Sequence, residues 1–383
     1  MAHGYPDVVT SERNSRIELL KLFALFLIVL SHTAQTLCAE NGFIPFDGYL
    51  LDLSAATAEP QRFLLSLFCG LGAFGNAVFF ISSAWFMLDS NSVRPERIAR
   101  ILLSVFCVSI VFLGIMLAMR NGAVAPALIV KSLFPTTFAN NWYLTCYVLF
   151  YAAHPLLNAV IHMLSRRQLL LASLILAALY LGAGFLYRGA FFGTELMIWL
   201  AIYFVLAYVK QHLPETADSL KANAVLLACC AGGHIALLIL TDVIGLKVPA
   251  LGHLMLHWSS NASPLMILAA LAAFCLAKRK CFSKRFVNKL AGLALPVYII
   301  HENILVRTYV RPAALEFIWE RFGYSHILMW VIALSAAVFI VSAVFGLLFS
   351  VSLGRIIDRA AKDAVKLCKK LFARLDNAAV KLR

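Results

Sequence analysis

The sequence predicts an all-α protein that crosses a membrane about ten times. Of its 383 residues, 62% are hydrophobic and only 14% are charged, which is about half the charged fraction of an ordinary soluble domain. Apolar runs of about 20 residues recur along the whole chain, and a helix of that length spans the ~30 Å hydrocarbon core of a bilayer. The short alternating segments of an outer-membrane β-barrel are not found in the sequence.

The apolar runs place the spans in order along the chain. We expect them at residues 17–38, 64–88, 98–119, 142–162, 168–187, 191–209, 222–241, 262–277, 287–306 and 327–352. The first run is too long for the apolar part of a signal peptide, so it is interpreted as a retained span. Residues 124–138 are a weaker apolar stretch, and their two prolines indicate an interfacial or re-entrant segment.

Basic residues predict the orientation of the spans. If the N-terminus is cytoplasmic, 24 of the 33 lysines and arginines lie on the cytoplasmic side and eight on the other, with Lys21 inside the first span. The positive-inside rule then places both termini in the cytoplasm. Because this distribution accounts for the net charge of +14, the charge does not predict a nucleic-acid partner.

The chain is expected to have one transmembrane domain and a distinct tail. Residues 1–352 contain all the spans, and residues 353–383 form a basic, amphipathic cytoplasmic tail. This tail is expected either to lie as a helix on the anionic inner leaflet or to remain solvated. Most of the nine cysteines lie in apolar runs and none forms a CxxC pair, so we expect no metal site or disulfide.

The first span carries polar residues on one face. Lys21 and His32 are 11 residues apart, which places them on the same side of a helix at an axial distance of about 16 Å. Glu18 precedes Lys21 by three residues and lies near the same face. This column indicates a helix that lines a polar cavity. The alternatives are that Lys21 snorkels to the surface and that His32 makes an ordinary interhelical hydrogen bond.

Other spans carry similar polar groups. Asn76 lies near the middle of the second span, and Arg97 and Arg100 share a face at the cytoplasmic start of the third. The two arginines are either topological anchors or a cluster that holds phosphates. In the ninth span, the adjacent polar residues 301–303 would cover about 200° of a helix, so at least one faces protein or water.

Four stretches in order resemble the acyltransferase-3 family of integral-membrane acyltransferases, which includes bacterial polysaccharide O-acetyltransferases. They read "SRIELLKLFALFLIVLSH", "NAVFFISSAWFMLDSNSVRPERIARIL", "NNWYLTCYVLFYAAHPLLN" and "LPVYIIHENIL", and the likeness covers about residues 13–350. The family pattern in the first helix is a basic residue, ten positions and a histidine. This chain has Lys21 where the family usually has arginine, which keeps the charge but loses the bidentate fork.

The resemblance implies transfer of an acyl group, expected to be acetyl, from cytoplasmic acyl-CoA to a hydroxyl of a cell-envelope glycan or glycolipid. The enzyme would lie in the cytoplasmic (inner) membrane, with acetyl-CoA as a co-substrate and no permanently bound cofactor or metal. Histidine suits the proton transfer that a sugar hydroxyl needs. His32 is therefore expected to act as the general base or, in a second variant, as a covalent acyl relay.

The same resemblance assigns roles to the other polar residues. The catalytic set is His32, Glu18 and Lys21. The CoA phosphates are expected on Arg16, Lys21, Arg97 and Arg100. The acceptor and the developing oxyanion are expected on Asn76, Trp142, Tyr143, His301, Glu302 and Asn303. Trp142 and Tyr143 also suit ordinary interfacial positions.

A transporter or flippase for a lipid-linked sugar is the competing class. Polar residues inside a ten-helix bundle suit that function as well. The inverted symmetry that many transporters show is not found, whereas the "RIELLK…SH" pattern is. The identity of the acceptor and the oligomeric state are not specified by the sequence.

Overall fold

The computed structural model describes residues 13–37, 60–120, 122–186, 194–248 and 258–381, without the side chains of residues 184 and 375–381. Helices dominate these ranges, and no strand occurs in them. The first twelve residues of the predicted domain and residues 39–59 before the second span lie outside the described residues. So do the ends of three predicted spans, at residues 38, 187 and 191–193.

The described residues contain sixteen α-helices. They are α1 (Ser15–Gln35), α2 (Pro60–Met87), α3 (Pro95–Met119), α4 (Pro126–Leu133), α5 (Trp142–Met163), α6 (Arg166–Leu176), α7 (Gly184–Leu186), α8 (Glu195–His212), α9 (Pro214–Asp218), α10 (Leu220–Gly245), α11 (Pro264–Lys278), α12 (Arg285–Ala291), α13 (Ala294–His301), α14 (Arg311–Phe322), α15 (Ile327–Ser352) and α16 (Gly354–Lys381). Two π-helical segments, Ala177–Ala183 and Val306–Val310, extend α6 and lead into α14, and a 3₁₀ turn, Tyr324–His326, precedes α15.

Length and composition support a membrane protein with seven to eight spans among the described residues. Seven helical segments are long and apolar enough, and a bent pair, Arg285–His301 with Val306–Phe322, makes an eighth if it is one span. Each of the ten predicted segments overlaps a helix. However, two of these helices are not among the seven long apolar segments. Helix α11 has only 15 residues, and α8 begins with Glu195 and ends in a polar turn. The count of ten and the cytoplasmic termini therefore stay predictions.

The single helix expected over residues 287–306 is wrong. The helix ends at His301, and the following limb leaves at an angle of 66°. Asn303 explains the break, because its side-chain oxygen accepts a hydrogen bond from the backbone N–H of Leu305 at 3.0 Å. Asparagine competes in this way with the regular helical hydrogen bonds. Residues 301–303 therefore lie at a bend, where all three side chains are buried.

Helices α1 and α2 pack closely through the glycines of α2. A Cβ atom at Gly75 would lie 2.7 Å from the carbonyl oxygen of Ala24, and one at Gly72 would lie 2.6 Å from Ser31 Oγ. The Ser31 hydroxyl donates to the carbonyl of Cys69 at 2.5 Å. Small residues allow such approaches between membrane helices. Since His32 follows Ser31, this contact sets the position of the histidine.

We expect Gly75→Ala to destabilise the protein by about 1–3 kcal/mol, because the added methyl group meets a backbone carbonyl that cannot rotate away. Gly114→Ala in α3 is the matched control, since a Cβ atom there meets nothing within 4 Å. Thermal unfolding in detergent measures both variants. Equal melting temperatures would contradict the close packing of α1 on α2.

Residues 124–138, which precede α5, run alongside α3. Val124 and Leu128 pack with Leu113 and Met116 of α3, whereas Pro135 and Thr136 share a cavity with Ile101 and Val105. Met116 and Val105 are about 16 Å apart along the axis of α3, at 1.5 Å per residue. The segment therefore contacts α3 at two well-separated depths. The contacts therefore favour the re-entrant interpretation of residues 124–138.

The basic tail is the long amphipathic helix α16, which packs along α3. Ile357, Ala361 and Val365 form its buried stripe, and Asp358 pairs with Arg100 at 3.1 Å. The tail is thus partly docked on the bundle and is not solvated on every side. Its contact with the inner leaflet stays a prediction.

Candidate functional site

His32 lies at the centre of a buried polar cluster between α1 and the bend after α13. Its Nδ1 atom is 2.8 Å from Glu302 Oε1, and its ring stacks on that of His301 with the centroids 5.4 Å apart. The His32 side chain keeps 15% of its surface exposed. The imidazole therefore faces protein groups within the bundle and remains partly accessible.

Hydrogen bonding determines which nitrogen atoms carry protons when both rings are neutral. His301 Nδ1 lies 2.8 Å from the carbonyl oxygen of Val297, so Nδ1 donates and Nε2 is left as an acceptor. That Nε2 and the carboxylate of Glu302 both face His32 Nδ1, at 3.2 and 2.8 Å. His32 therefore donates from Nδ1, and its Nε2 carries a lone pair. Among the described residues, Nε2 of His32 has no hydrogen-bond partner.

Glu302 is held by two arginines that follow the bend. Arg311 Nη2 lies 3.0 Å from Glu302 Oε1, and Arg307 Nη1 lies 3.5 Å from Oε2. Arg311 also donates to the carbonyl oxygens of His32 and His301, at 3.1 and 2.6 Å. With its side chain only 2% exposed, Arg311 ties α1, the end of α13 and α14 together.

Sequence analysis missed both arginines, because Arg307 and Arg311 are among the eight basic residues that it counted in loops on the non-cytoplasmic side. That placement is wrong for Arg311, which is buried in the bundle. The signal was available in "HENILVRTYVRP", since a buried glutamate needs a compensating charge and two cations follow within nine residues.

Three potential ligand atoms, one each from His32, His301 and Glu302, lie within 4.8 Å of one another. This spacing is compatible with a metal ion. The charges of the site are less compatible with a metal ion. Glu302 Oε1 already accepts a hydrogen bond from Arg311, and a cation there would face two guanidinium groups. The arrangement suits a hydrogen-bonded histidine better than a metal centre.

The predicted Glu18–Lys21 pair forms, but about three turns from His32. Lys21 Nζ is 3.2 Å from Glu18 Oε2, and Arg13 Nε is 3.7 Å from the other oxygen. Arg16 lies over the ring of Phe282, with its guanidinium carbon 6.0 Å from the centroid. The structure therefore does not bring Glu18, Lys21 or Arg16 into contact with His32.

Arg97 and Arg100 differ in their partners. The guanidinium of Arg97 lies 5.5 and 5.0 Å from the ring centroids of Tyr147 and Tyr151, which stack with an interplanar angle of 7°. Arg97 has no carboxylate partner among the described residues, whereas Arg100 pairs with Asp358. Both arginines are exposed, and Arg97 is the one whose charge is available to an anion.

The acceptor-side candidates are divided between two regions. The amide nitrogen of Asn76 donates to Asn261, whose own amide donates to Glu195, so Asn76 is not among the groups that contact His32. Tyr143 lies closer to the cluster, because its ring contacts Tyr298 at 5.8 Å.

Two further contacts complete this side of the site. Tyr298 packs against His301 with the ring centroids 5.6 Å apart, and Trp142 packs on Tyr143 at the same separation. Asn303 makes the local turn of the bend. Of the acceptor-side candidates, His301 and Glu302 contact His32, and Tyr143 is connected to the cluster through Tyr298.

The family comparison covers the candidate site residues described above. A family model for an acyltransferase domain, Acyl_transf_3, matches residues 14–353. The chain belongs to the acyltransferase-3 family. The matched acyltransferase domain contains the His32 cluster and Arg97, and it ends just before α16. Comparisons with curated proteins and with solved structures found no match.

The family assignment confirms the resemblance drawn from the four stretches. Together with the apolar helices, it indicates a membrane acyltransferase. The O-acetyltransferase subtype, the acyl donor and the acceptor stay predictions.

Proposed function

We propose that this acyltransferase moves an acetyl group from cytoplasmic acetyl-CoA to a hydroxyl of a cell-envelope glycan or glycolipid in the inner membrane. The lone pair of His32 Nε2 carries the proposal, since it belongs to a half-buried, oriented imidazole that remains partly accessible. An acyltransferase that uses a hydroxyl acceptor needs such a base, because a sugar hydroxyl is a weak nucleophile at neutral pH.

The proposed step transfers the acyl group directly. The acceptor oxygen attacks the thioester carbonyl while its proton passes to His32 Nε2. A new C–O bond forms, the C–S bond breaks, and the imidazolium returns the proton to the leaving thiolate. The carboxylate of Glu302, 2.8 Å from Nδ1, stabilises the imidazolium as it forms.

Arg311 has a positioning role in this scheme. Its guanidinium holds Glu302 Oε1 and the backbone carbonyls of both histidines in one arrangement. The tautomer and the orientation of His32 are therefore fixed before substrates bind. Such preorganisation is the usual contribution of a supporting residue to acid–base catalysis.

The donor phosphates are assigned to basic residues at the proposed cytoplasmic mouth. Arg97 is exposed and lacks a carboxylate partner among the described residues, which suits phosphate binding. Lys21 and Arg100 hold carboxylates instead, so each would have to exchange its partner to bind CoA.

Two measurements test the proposal. Purified protein in nanodiscs, given radiolabelled acetyl-CoA and envelope glycan, should label the glycan and release free CoA. Mass spectrometry of the envelope glycans should show the loss of one acetyl group per repeat when the gene is deleted. Unchanged acylation with altered delivery of a lipid-linked sugar would support the transporter alternative and overturn the proposal.

A further inference from the structure

Helix α16 has an apolar face that the bundle covers only in part. At about 100° per residue, its apolar side chains occupy roughly half of the helical circumference. One edge of this face is the buried stripe that packs on the bundle. The other edge carries Ile356, Leu367 and Leu371, which are 62%, 58% and 49% exposed. These three residues, the uncovered stripe, face about 110° away from the buried stripe.

The rest of the α16 surface is strongly basic. From Gly354 to Arg374 the chain has seven lysines and arginines but only two aspartates, and all seven cations are exposed. In helical projection, Lys366, Lys370 and Arg374 adjoin the uncovered stripe. An apolar stripe beside a row of cations is complementary to the boundary between lipid acyl chains and anionic headgroups.

The connections of α16 place this surface next to the membrane. Helix α15, a candidate span, ends at Ser352, and α16 begins two residues later. The ion pair of Asp358 with Arg100 then joins the second turn of α16 to the second turn of α3, another candidate span. The first turns of α16 are therefore held at the ends of two spans, on the side that the basic residues predict to be cytoplasmic.

We propose that α16 is an interfacial helix that binds the anionic lipids of the inner leaflet. Its buried stripe holds it on the bundle, and its uncovered stripe enters the acyl-chain boundary. The cations beside the uncovered stripe pair with lipid phosphates. The sequence left this arrangement and a solvated tail as alternatives. The division of one apolar face between the bundle and an open side favours the leaflet, because a solvated tail would leave large apolar side chains in water.

Hydrogen–deuterium exchange of the full-length protein in nanodiscs tests this contact. Peptides that cover residues 366–374 should exchange about fivefold more slowly in phosphatidylcholine discs with about 30% phosphatidylglycerol than in phosphatidylcholine alone, because only the former offers anionic headgroups. High salt should remove most of this difference, since it screens the pairing of cations with phosphates. Equal exchange in the two lipids would overturn the proposal.

Two double variants test the two parts of the surface. Leu367→Glu with Leu371→Glu should abolish the slower exchange, because charged side chains do not enter the acyl-chain boundary. Lys366→Gln with Lys370→Gln should remove most of the difference between the two lipids. All four positions are exposed, so neither variant disturbs the packing of α16 on the bundle.

A matched control separates a local surface from the total charge. Arg166→Gln with Arg167→Gln removes two cations from exposed positions of α6 and should leave the lipid-dependent exchange of residues 366–374 unchanged. An equal loss in this control, or no loss in either α16 variant, would show that α16 is not the lipid-binding surface. None of these measurements uses acyl transfer, so their outcome is independent of the proposed function.

Discussion

His32→Ala is expected to lower the rate of acyl transfer by about 10²–10⁴-fold, the usual contribution of a general base. The imidazole is lost, while Glu302 keeps its pairing with Arg311, so the fold should survive. The kcat for glycan acetylation measures the effect. His162→Ala, at an exposed position near the end of α5, is the matched control and should retain full activity.

Full activity in folded His32→Ala would remove the histidine from the chemistry. The unsubstituted enzyme distinguishes direct transfer from the covalent relay. If the His32 peptide carries an acetyl group after acid quenching with acetyl-CoA alone, the covalent variant is correct. An unmodified peptide in an active enzyme supports general-base catalysis.

Arg311→Leu is expected to have the largest effect on stability, about 3–5 kcal/mol, the range for breaking a buried ion pair by removing one partner. The substitution removes the cation closest to Glu302 and leaves the carbonyls of His32 and His301 without its hydrogen bonds. Thermal unfolding in detergent should show a large decrease in melting temperature. Arg321→Leu, on the exposed side of the same helix, should show little change.

A double variant separates the unpaired charge from general loss of packing. If Arg311→Leu lowers the stability because the carboxylate of Glu302 loses its closest cation, the double variant Arg311→Leu with Glu302→Gln should recover part of the free energy of unfolding. A double variant that is less stable than Arg311→Leu would show that the carboxylate is not the cause, because the neutral amide leaves no buried charge.

Local sequence signals were sufficient for the all-helical class and for the family. The four ordered stretches lie in short windows, and the family match confirms the family that they indicated. The Glu18–Lys21 contact also followed from helical spacing alone.

The geometry of the site depends on contacts distant in sequence and could not be predicted in this way. The charges in this window indicate that Glu302 needs a cation, but they do not show that Arg311 folds back on it, because the intervening bend arises from a turn at Asn303. Nor does the charge pattern show that Arg100 pairs with Asp358 of the last helix, which leaves Arg97 as the available cation of these two arginines. Both outcomes are set by the packing of complete helices.

The bend after His301 links the shape of the backbone to the working geometry of the site. Glu302 directly follows the first limb of the broken span, Arg285–His301, and the arginine that holds it lies in the second limb, Val306–Phe322, which is bent by 66° from the first. A redesign that restored an uninterrupted helix here would improve the regularity of the span and carry the arginine out of reach of its carboxylate. The bend is therefore needed for the contact between Arg311 and Glu302, and substitutions designed to stabilise this protein should avoid it.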